Sequence, residues 1–301
     1  VLQFLYPRFG SKATMKSLII NADDLGADEP RNRGIFEAIE AGRVTSVSIL
    51  VNGNGFEGAM ERWKSLGNTG ISLGIHINLS EGRPIRKDLN LLTDKDGYFL
   101  GKQTAQELLK RKADGKLERE IQEEIKAQID VLKEYEVPIK HLDGHQHIHI
   151  MPAVLPIAVS EASSSKIRWI RIPDEPQPSI RNAMSKADIL DEAAIFSSLG
   201  AAARSFVMLS EIESCDHFRG LYLKGKLDII HLEELFQNLP IGLTEFMVHP
   251  GRAADSETTG PFTTFSSTER EKELAALLDP VFPILLQKYG IDLTPFPEDF
   301  P

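Results

Sequence analysis

Apolar runs and amphipathic stretches alternate along the chain, which is the pattern of repeating strand–helix units. Apolar runs, several rich in β-branched residues, predict parallel strands at residues 17–22, 44–51, 71–78, 167–172 and 244–248. Helices are predicted at residues 31–41, 55–66, 117–137 and 269–288. This order predicts an α/β fold, and without a low-complexity linker the chain is expected to form a single domain.

The predicted strand at residues 71–78 has the clearest alternation. Apolar residues occupy every second position from Ile71 to Ile77, and the positions between them include His76. Successive side chains of a strand point to opposite faces. In a barrel the isoleucines would pack on the helices, and His76 would face the interior.

One helix and one insertion stand out between the predicted strands. Ile121, Ile125, Ile129 and Leu132 form a stripe along the helix at 117–137, which Pro138 is expected to end. Residues 80–103 form a long polar insertion. Long loops after a strand often carry function, so this insertion is expected to form a lid or a wall of the substrate site.

Candidate metal-binding and acid–base residues stand at the ends of the predicted strands. They are Asp23 and Asp24, His76, Arg171, His249, and the histidines of residues 141–149 (HLDGHQHIH). Parallel strands with covering helices bring their carboxyl ends to one mouth. Two aspartates and several histidines at such a mouth predict a metal-dependent hydrolase.

If residues 141–149 were extended, His145, His147 and His149 would share one face with His141 and Asp143. Imidazoles with a carboxylate suit Zn, Mn, Co, Ni or Mg. Only one or two of these histidines need bind the ion, because the others can orient its ligands or contact substrate.

Each of the remaining candidates also has a structural explanation. The pair Asp23–Asp24 could divide into a base and a cation ligand, or could cap a helix. His249, followed by Pro250, could be a general acid or a hydrogen-bonded structural histidine. Arg171 could hold Asp23, bind a substrate hydroxyl, or pair with a surface acid.

Composition excludes several classes of function. The 301 residues carry a net charge of −10 without a basic stripe, so no nucleic-acid partner is expected. Cys215 is the only cysteine, which excludes an internal disulfide and a cysteine-rich zinc site. No stretch reaches the length of a membrane span, and none resembles a signal peptide, so we expect a cytoplasmic protein without a membrane partner. A homodimer is left open.

The first fourteen residues lie outside these patterns. Pro7 and Gly10 break their apolar patches, and Met15 follows them. We expect residues 1–14 to be a disordered leader or extension, and residues 15–301 to form the domain.

Two glycine motifs suggest other functions. Gly53, Gly55 and Gly58 match GxGxxG between a strand and a helix, so a dinucleotide-binding oxidoreductase is the alternative enzyme class. No acidic residue ends the following strand, which favours a simple glycine-rich turn. Residues 220–226 match GxxxxGK, but Leu227 replaces the Ser or Thr that would hold Mg²⁺.

Seven segments together resemble the YdjC-like carbohydrate deacetylases, a family that includes chitooligosaccharide deacetylases. They are residues 21–26 (NADDLG), 44–46 (VTS), 50–53 (LVNG), 74–76 (GIH), 81–84 (EGRP), 141–149 (HLDGHQHIH) and 249–251 (HPG). The resemblance extends from about Lys16 to the closing helix.

The resemblance implies a distorted (β/α) TIM-like barrel, one divalent metal ion (Mg²⁺ or Zn²⁺), and removal of acetyl groups from N-acetylated mono- or oligosaccharides. It implies Asp24, His76 and His145 as metal ligands, Asp23 as the catalytic base and His249 as the acid. Residues that would contact substrate or orient the ligands are Asp143, His147, His149, Arg171 and Arg83. A catalytically silent sugar- or metal-binding relative is the further alternative, although it would need neither acid nor base.

Overall fold

The strands of the molecule form one curved parallel sheet with helices packed around it. The computed structural model describes residues 15–67, 70–177 and 187–298, with no side-chain description for 187–190. The predicted leader at residues 1–14 lies outside the described residues. No helix in the described part of the chain combines the length and apolar character that a membrane span requires.

The sheet follows the order β5-β4-β3-β2-β1-β7-β6, and β8 pairs with the start of β1. At the open edge, the amide of Ile170 in β5 donates to the carbonyl of Glu213, just before β6, at 2.9 Å. The predicted barrel is therefore confirmed, with an irregular closure between β5 and β6. The strands are β1 Lys16–Leu25, β2 Ser46–Ile49, β3 Ser72–Ile77, β4 His141–Gly144, β5 Trp169–Ile170, β6 His217–Arg219, β7 Gly242–Val248 and β8 Ile291–Leu293.

Nine α-helices occur in the described residues and pack around the sheet. They are α1 Glu29–Glu40, α2 Phe56–Leu66, α3 Lys102–Leu109, α4 Gly115–Lys133, α5 Leu155–Ser164, α6 Ala187–Val207, α7 Ile229–Gln237, α8 Thr268–Leu278 and α9 Phe282–Tyr289. Helix α1 begins two residues before its predicted start because Asp28 caps it, accepting from the amide of Arg31. Helix α4 buries the predicted stripe but ends at Lys133, before Pro138.

The predicted closing helix at 269–288 is wrong as a single element. It consists of α8 and α9, which are separated at Asp279 and Pro280. Asp279 adopts an extended backbone with ψ of 132°, the conformation that a following proline favours.

The insertion at residues 80–103 is fastened to α4. The carboxylate of Glu124 accepts from the amides of Ile85 and Arg86, each at 2.9 Å. Glu120 accepts from the amide of Leu91 at 2.7 Å. The insertion does not line the main cavity, and only its first residues approach the strand ends.

Candidate active site

The carboxyl ends of β1, β3, β4 and β7 meet at a cavity of about 410 Å³. Its floor is polar, and its walls come from α6, the turn before α7 and the start of α8. The residues that line it are Asp23, Asp24, Arg31, His76, Gly144, His145, Gln146, His147, Glu192, Ala193, Phe196, Leu221, Lys224, Gly225, Lys226, Met247, His249, Phe265, Glu269 and Arg270.

Asp24, His76 and His145 converge on one point of this floor. Asp24 Oδ1 lies 3.0 Å from His145 Nδ1 and 3.3 Å from His76 Nε2. One donor atom from each residue lies within 4.8 Å of the other two, and all three side chains are buried. Asp24 reaches this position from a left-handed backbone (φ 67°), where the register between β1 and β2 shifts.

Each of the three side chains is held by a second partner on its other polar atom. Asp143 Oδ1 lies 2.6 Å from His76 Nδ1, and Glu81 Oε2 lies 2.9 Å from His145 Nε2. Arg31 Nη1 donates to Asp24 Oδ2 at 2.7 Å. Two imidazoles and one carboxylate oxygen are thus directed to a common point, a donor set that fits a divalent cation and leaves positions open.

In this group, charge interactions outweigh the effect of burial on the pKa values. Burial alone would lower the pKa of His76, but Asp143 and Asp24 raise that pKa to about 10. Asp24 in the same way raises the pKa of His145 against burial. Burial would raise the pKa of Asp24, but the neighbouring histidines hold it well below its usual value. A cation that binds here must therefore displace protons from the imidazoles.

Asp23 has different partners from Asp24. Arg171 donates to both of its oxygens, each at 2.6 Å, and Asn21 Nδ2 donates to Oδ1 at 2.8 Å. Asp23, His76 and Asp143 also lie close enough together to hold an ion. Arg171 contacts both of those carboxylates, however, and its positive charge disfavours a cation between them. Asp24, His76 and His145 are therefore the better candidate for a metal site.

Arg171 is fully buried and so does not pair with a surface acid. Its Nη2 lies 2.8 Å from Asp143 Oδ2, and its Nε donates to Glu245 Oε1 at 2.7 Å. Burial raises the pKa of Glu245 to about 7, although Arg171 opposes the shift. Glu245 was not singled out from the sequence because it lies inside β7, where no motif marks it.

His249 lies at the end of β7 on the side of Asp23. Its Nε2 is 4.0 Å from Asp23 Oδ2, and its amide donates to Glu273 Oε2 at 2.7 Å. Burial lowers the pKa of His249, and the nearby Glu273 carboxylate only partly opposes this. Burial would raise the pKa of Glu273 itself, but Arg270 and His249 bring it to about 2.

The histidines after β4 do not share one extended face, so that expectation is wrong. Residues His145–Ile150 form a 3₁₀ segment in which Gln146 and His147 are left-handed, with φ of 54° and 55°. Of these histidines, only His145 joins the candidate metal site. His147 lines the cavity, whereas His149 Nε2 donates to the carbonyl of Arg171 at 3.0 Å.

Arg83 is the one predicted site residue that the structure does not bring to this group. Its guanidinium group stacks on Tyr98 and donates to the carbonyl of Asp96 at 3.1 Å. Glu81, two residues earlier, contacts His145 instead. The only sequence signal for Glu81 is its place in the family-like segment 81–84, and Arg31 had none.

The glycine motifs serve packing and turn geometry. A Cβ on Gly53 would lie 2.1 Å from the carbonyl oxygen of Gly26, and one on Gly55 would lie 2.8 Å from the backbone of Asp28. These glycines therefore let the turn before α2 pack against the loop after β1, as expected for a simple turn. Gly220 has φ of 124° and packs against Met247.

Comparison with known proteins agrees with this geometry. A profile of the YdjC-like protein family matches residues 17–288. The chain is 33% identical to a carbohydrate deacetylase of Mus musculus and 32% identical to one of Homo sapiens, over 92% of this chain and 92% and 88% of those proteins.

A solved structure shares the fold. It is a protein of Enterococcus faecalis V583 proposed to cleave cellobiose phosphate, with a TM-score of 0.66, 21% identity, and coverage of 94% of this chain and 98% of that one. At that identity the likeness concerns the fold alone. The profile match and the full-length relatives together show that this chain belongs to the YdjC-like family, the family of these carbohydrate deacetylases.

Proposed function

We propose that the chain is a metal-dependent hydrolase that removes the acetyl group from N-acetylated sugars of the chitooligosaccharide type. The observation that carries the proposal is the position of a metal-type donor set, Asp24, His76 and His145, in one cavity with Asp23 and His249. The family relationship supports the substrate class.

A divalent ion such as Mg²⁺ or Zn²⁺, held by Asp24, His76 and His145, would polarise the acetamide carbonyl and lower the pKa of water. Asp23 accepts the proton of the attacking water, because Arg171 fixes its carboxylate beside that site. His249 donates a proton to the departing amine. Acetate and an amino sugar result.

The other assigned residues support these roles. Asp143 and His149 orient His76 and the backbone of Arg171, respectively. His147 and the aromatic wall residues Phe196 and Phe265 would contact the sugar. Arg83 would contact only longer oligosaccharides, at a point beyond the cavity.

The alternatives have weaker support. A dinucleotide site at Gly53, Gly55 and Gly58 is disfavoured because neighbouring backbone occupies the space beside Gly53 and Gly55. A silent binding protein would not need the Asp23–Arg171 and His249–Glu273 pairs. Acetate release from diacetylchitobiose is measured with and without NAD(P) and with and without added Zn²⁺ or Mg²⁺. The result distinguishes the deacetylase from the oxidoreductase and from the silent binding protein.

A further inference from the structure

Two consecutive residues next to the metal site adopt a backbone that side chains normally avoid. Gln146 (φ 54°, ψ 30°) and His147 (φ 55°, ψ 28°) are both left-handed, and neither is glycine. Such a conformation costs free energy and persists where the surrounding structure imposes it, often at functional sites. Here it places His145 toward Asp24 and the next two residues along the cavity lining.

The same two residues have buried polar atoms without hydrogen-bond partners among the described residues. They are Gln146 Oε1, Gln146 Nε2 and His147 Nδ1. Buried polar atoms in proteins are nearly always paired, so unpaired ones at a cavity call for a partner from outside the chain. The partner must offer both donors and acceptors, because the Gln146 amide has an acceptor oxygen and an NH₂ group that donates.

The surroundings indicate a neutral partner. The Gln146 amide carries no charge, and the unpaired polar atom of His147 is a single ring nitrogen, Nδ1. The His147 ring packs edge-on against Phe196, with 5.0 Å between the ring centroids, which fixes its direction. An uncharged amide beside an unpaired imidazole nitrogen matches neighbouring hydroxyl groups, each of which can donate and accept.

From this geometry we infer that Gln146, with His147 beside it, binds neighbouring hydroxyl groups of the sugar ring that carries the acetamide. The inference rests on the proposed function and names a specificity residue for it. Since Gln146 directly follows the metal ligand His145, the hydroxyls and the acetamide would be held by adjacent residues. The site would thereby distinguish acetamido sugars from simple acetamides.

The test compares Gln146→Met, which keeps the length of the side chain, with Gln146→Ala, which cannot overpack. Gln106→Met is the matched control, because Gln106 Nε2 is also buried without a partner but does not line the cavity. The substrates are N-acetylglucosamine, diacetylchitobiose, and analogues of N-acetylglucosamine that each lack one ring hydroxyl. Metal content is measured for every variant.

Both Gln146 variants should retain metal and lose about 10- to 100-fold in kcat/KM on the intact sugars, whereas Gln106→Met should match the wild type. The wild type should lose a similar factor on at least one deoxy analogue, and the Gln146 variants should lose nothing further on that analogue. Unchanged kcat/KM in both Gln146 variants on the intact sugars would overturn the inference. So would a loss in these variants that is the same on every deoxy analogue as on the intact sugars. Wild-type protein that releases no acetate from any of these sugars would overturn the proposed function, and this inference with it.

Discussion

Arg171 donates two hydrogen bonds of 2.6 Å to the carboxylate of Asp23, and both side chains are almost completely buried. The same guanidinium group lies 2.8 Å from Asp143, which orients His76. One arginine therefore fixes both the proposed base and the partner of a proposed metal ligand.

Replacing Arg171 should destabilise the whole fold. Arg171→Met leaves Asp23 and Asp143 buried without their cation, and breaking a buried pair in this way costs about 3–5 kcal/mol. Denaturant unfolding measures the loss. Arg86→Met removes an exposed arginine that pairs with Asp88 and should leave the free energy of unfolding almost unchanged. A loss for Arg171→Met no larger than that of the control would contradict the role assigned to Arg171.

Glu81 should affect metal affinity through His145. Glu81→Ala removes the partner of His145 Nε2, and such losses typically weaken metal binding about 10–100-fold. Glu81→Gln keeps an oxygen acceptor for the imidazole and should retain most of the affinity. Competition with a coloured zinc chelator measures both variants. Equal affinities for Glu81→Ala and the wild type would remove Glu81 from the site.

The stability of the protein without bound cation should fall as pH rises above neutrality. The pKa of His76 is about 10 in the folded chain and near 6.5 in the unfolded chain. A raised folded-state pKa stabilises fully below about pH 6.5, and the contribution is lost as pH approaches 10. Urea unfolding of chelator-treated protein from pH 6.5 to 10 should show this decline. In His76→Gln the free energy of unfolding should decline less steeply with pH than in the wild type. Equal slopes in the two proteins would contradict the raised pKa assigned to His76.

His249→Ala should impair substrates with poor leaving groups most strongly. A general acid matters when the departing amine is basic, so an N-acetyl sugar should suffer more than an activated aryl acetate. The pKa of His249 is lowered by burial, so the wild-type rate on the sugar should fall with rising pH from a point below 6.5. Equal losses on both substrates, with the pH profile unchanged, would make His249 a structural residue.

Five strands and most of the candidate site could be predicted because hydrophobic periodicity locates strands and strand ends converge, whereas the barrel was implied by the family resemblance. Glu81, Arg31 and Glu273 could not, because their contacts join residues distant in sequence: Arg31 Nη2, for example, donates to the carbonyl of Phe265. The left-handed Gln146 was equally hidden, since such a backbone is normally marked by glycine. Pro280 marks the break in the closing helix, but the apolar pattern continues across it and therefore predicted one helix.

The central claim is that two adjacent carboxylates have different roles, Asp23 as the base and Asp24 as a metal ligand, and comparing their variants tests it most directly. Wild type, Asp23→Asn and Asp24→Asn are stripped of metal, supplied with Zn²⁺ or Mg²⁺, and assayed for bound metal and for acetate released from diacetylchitobiose. We expect the wild type to bind one ion and release acetate only when it is bound. Asp23→Asn should bind the ion but lose about 10²–10⁴-fold in rate, and Asp24→Asn should lose both. Acetate release by the stripped wild type, or loss of the ion from Asp23→Asn with retention in Asp24→Asn, would contradict the account.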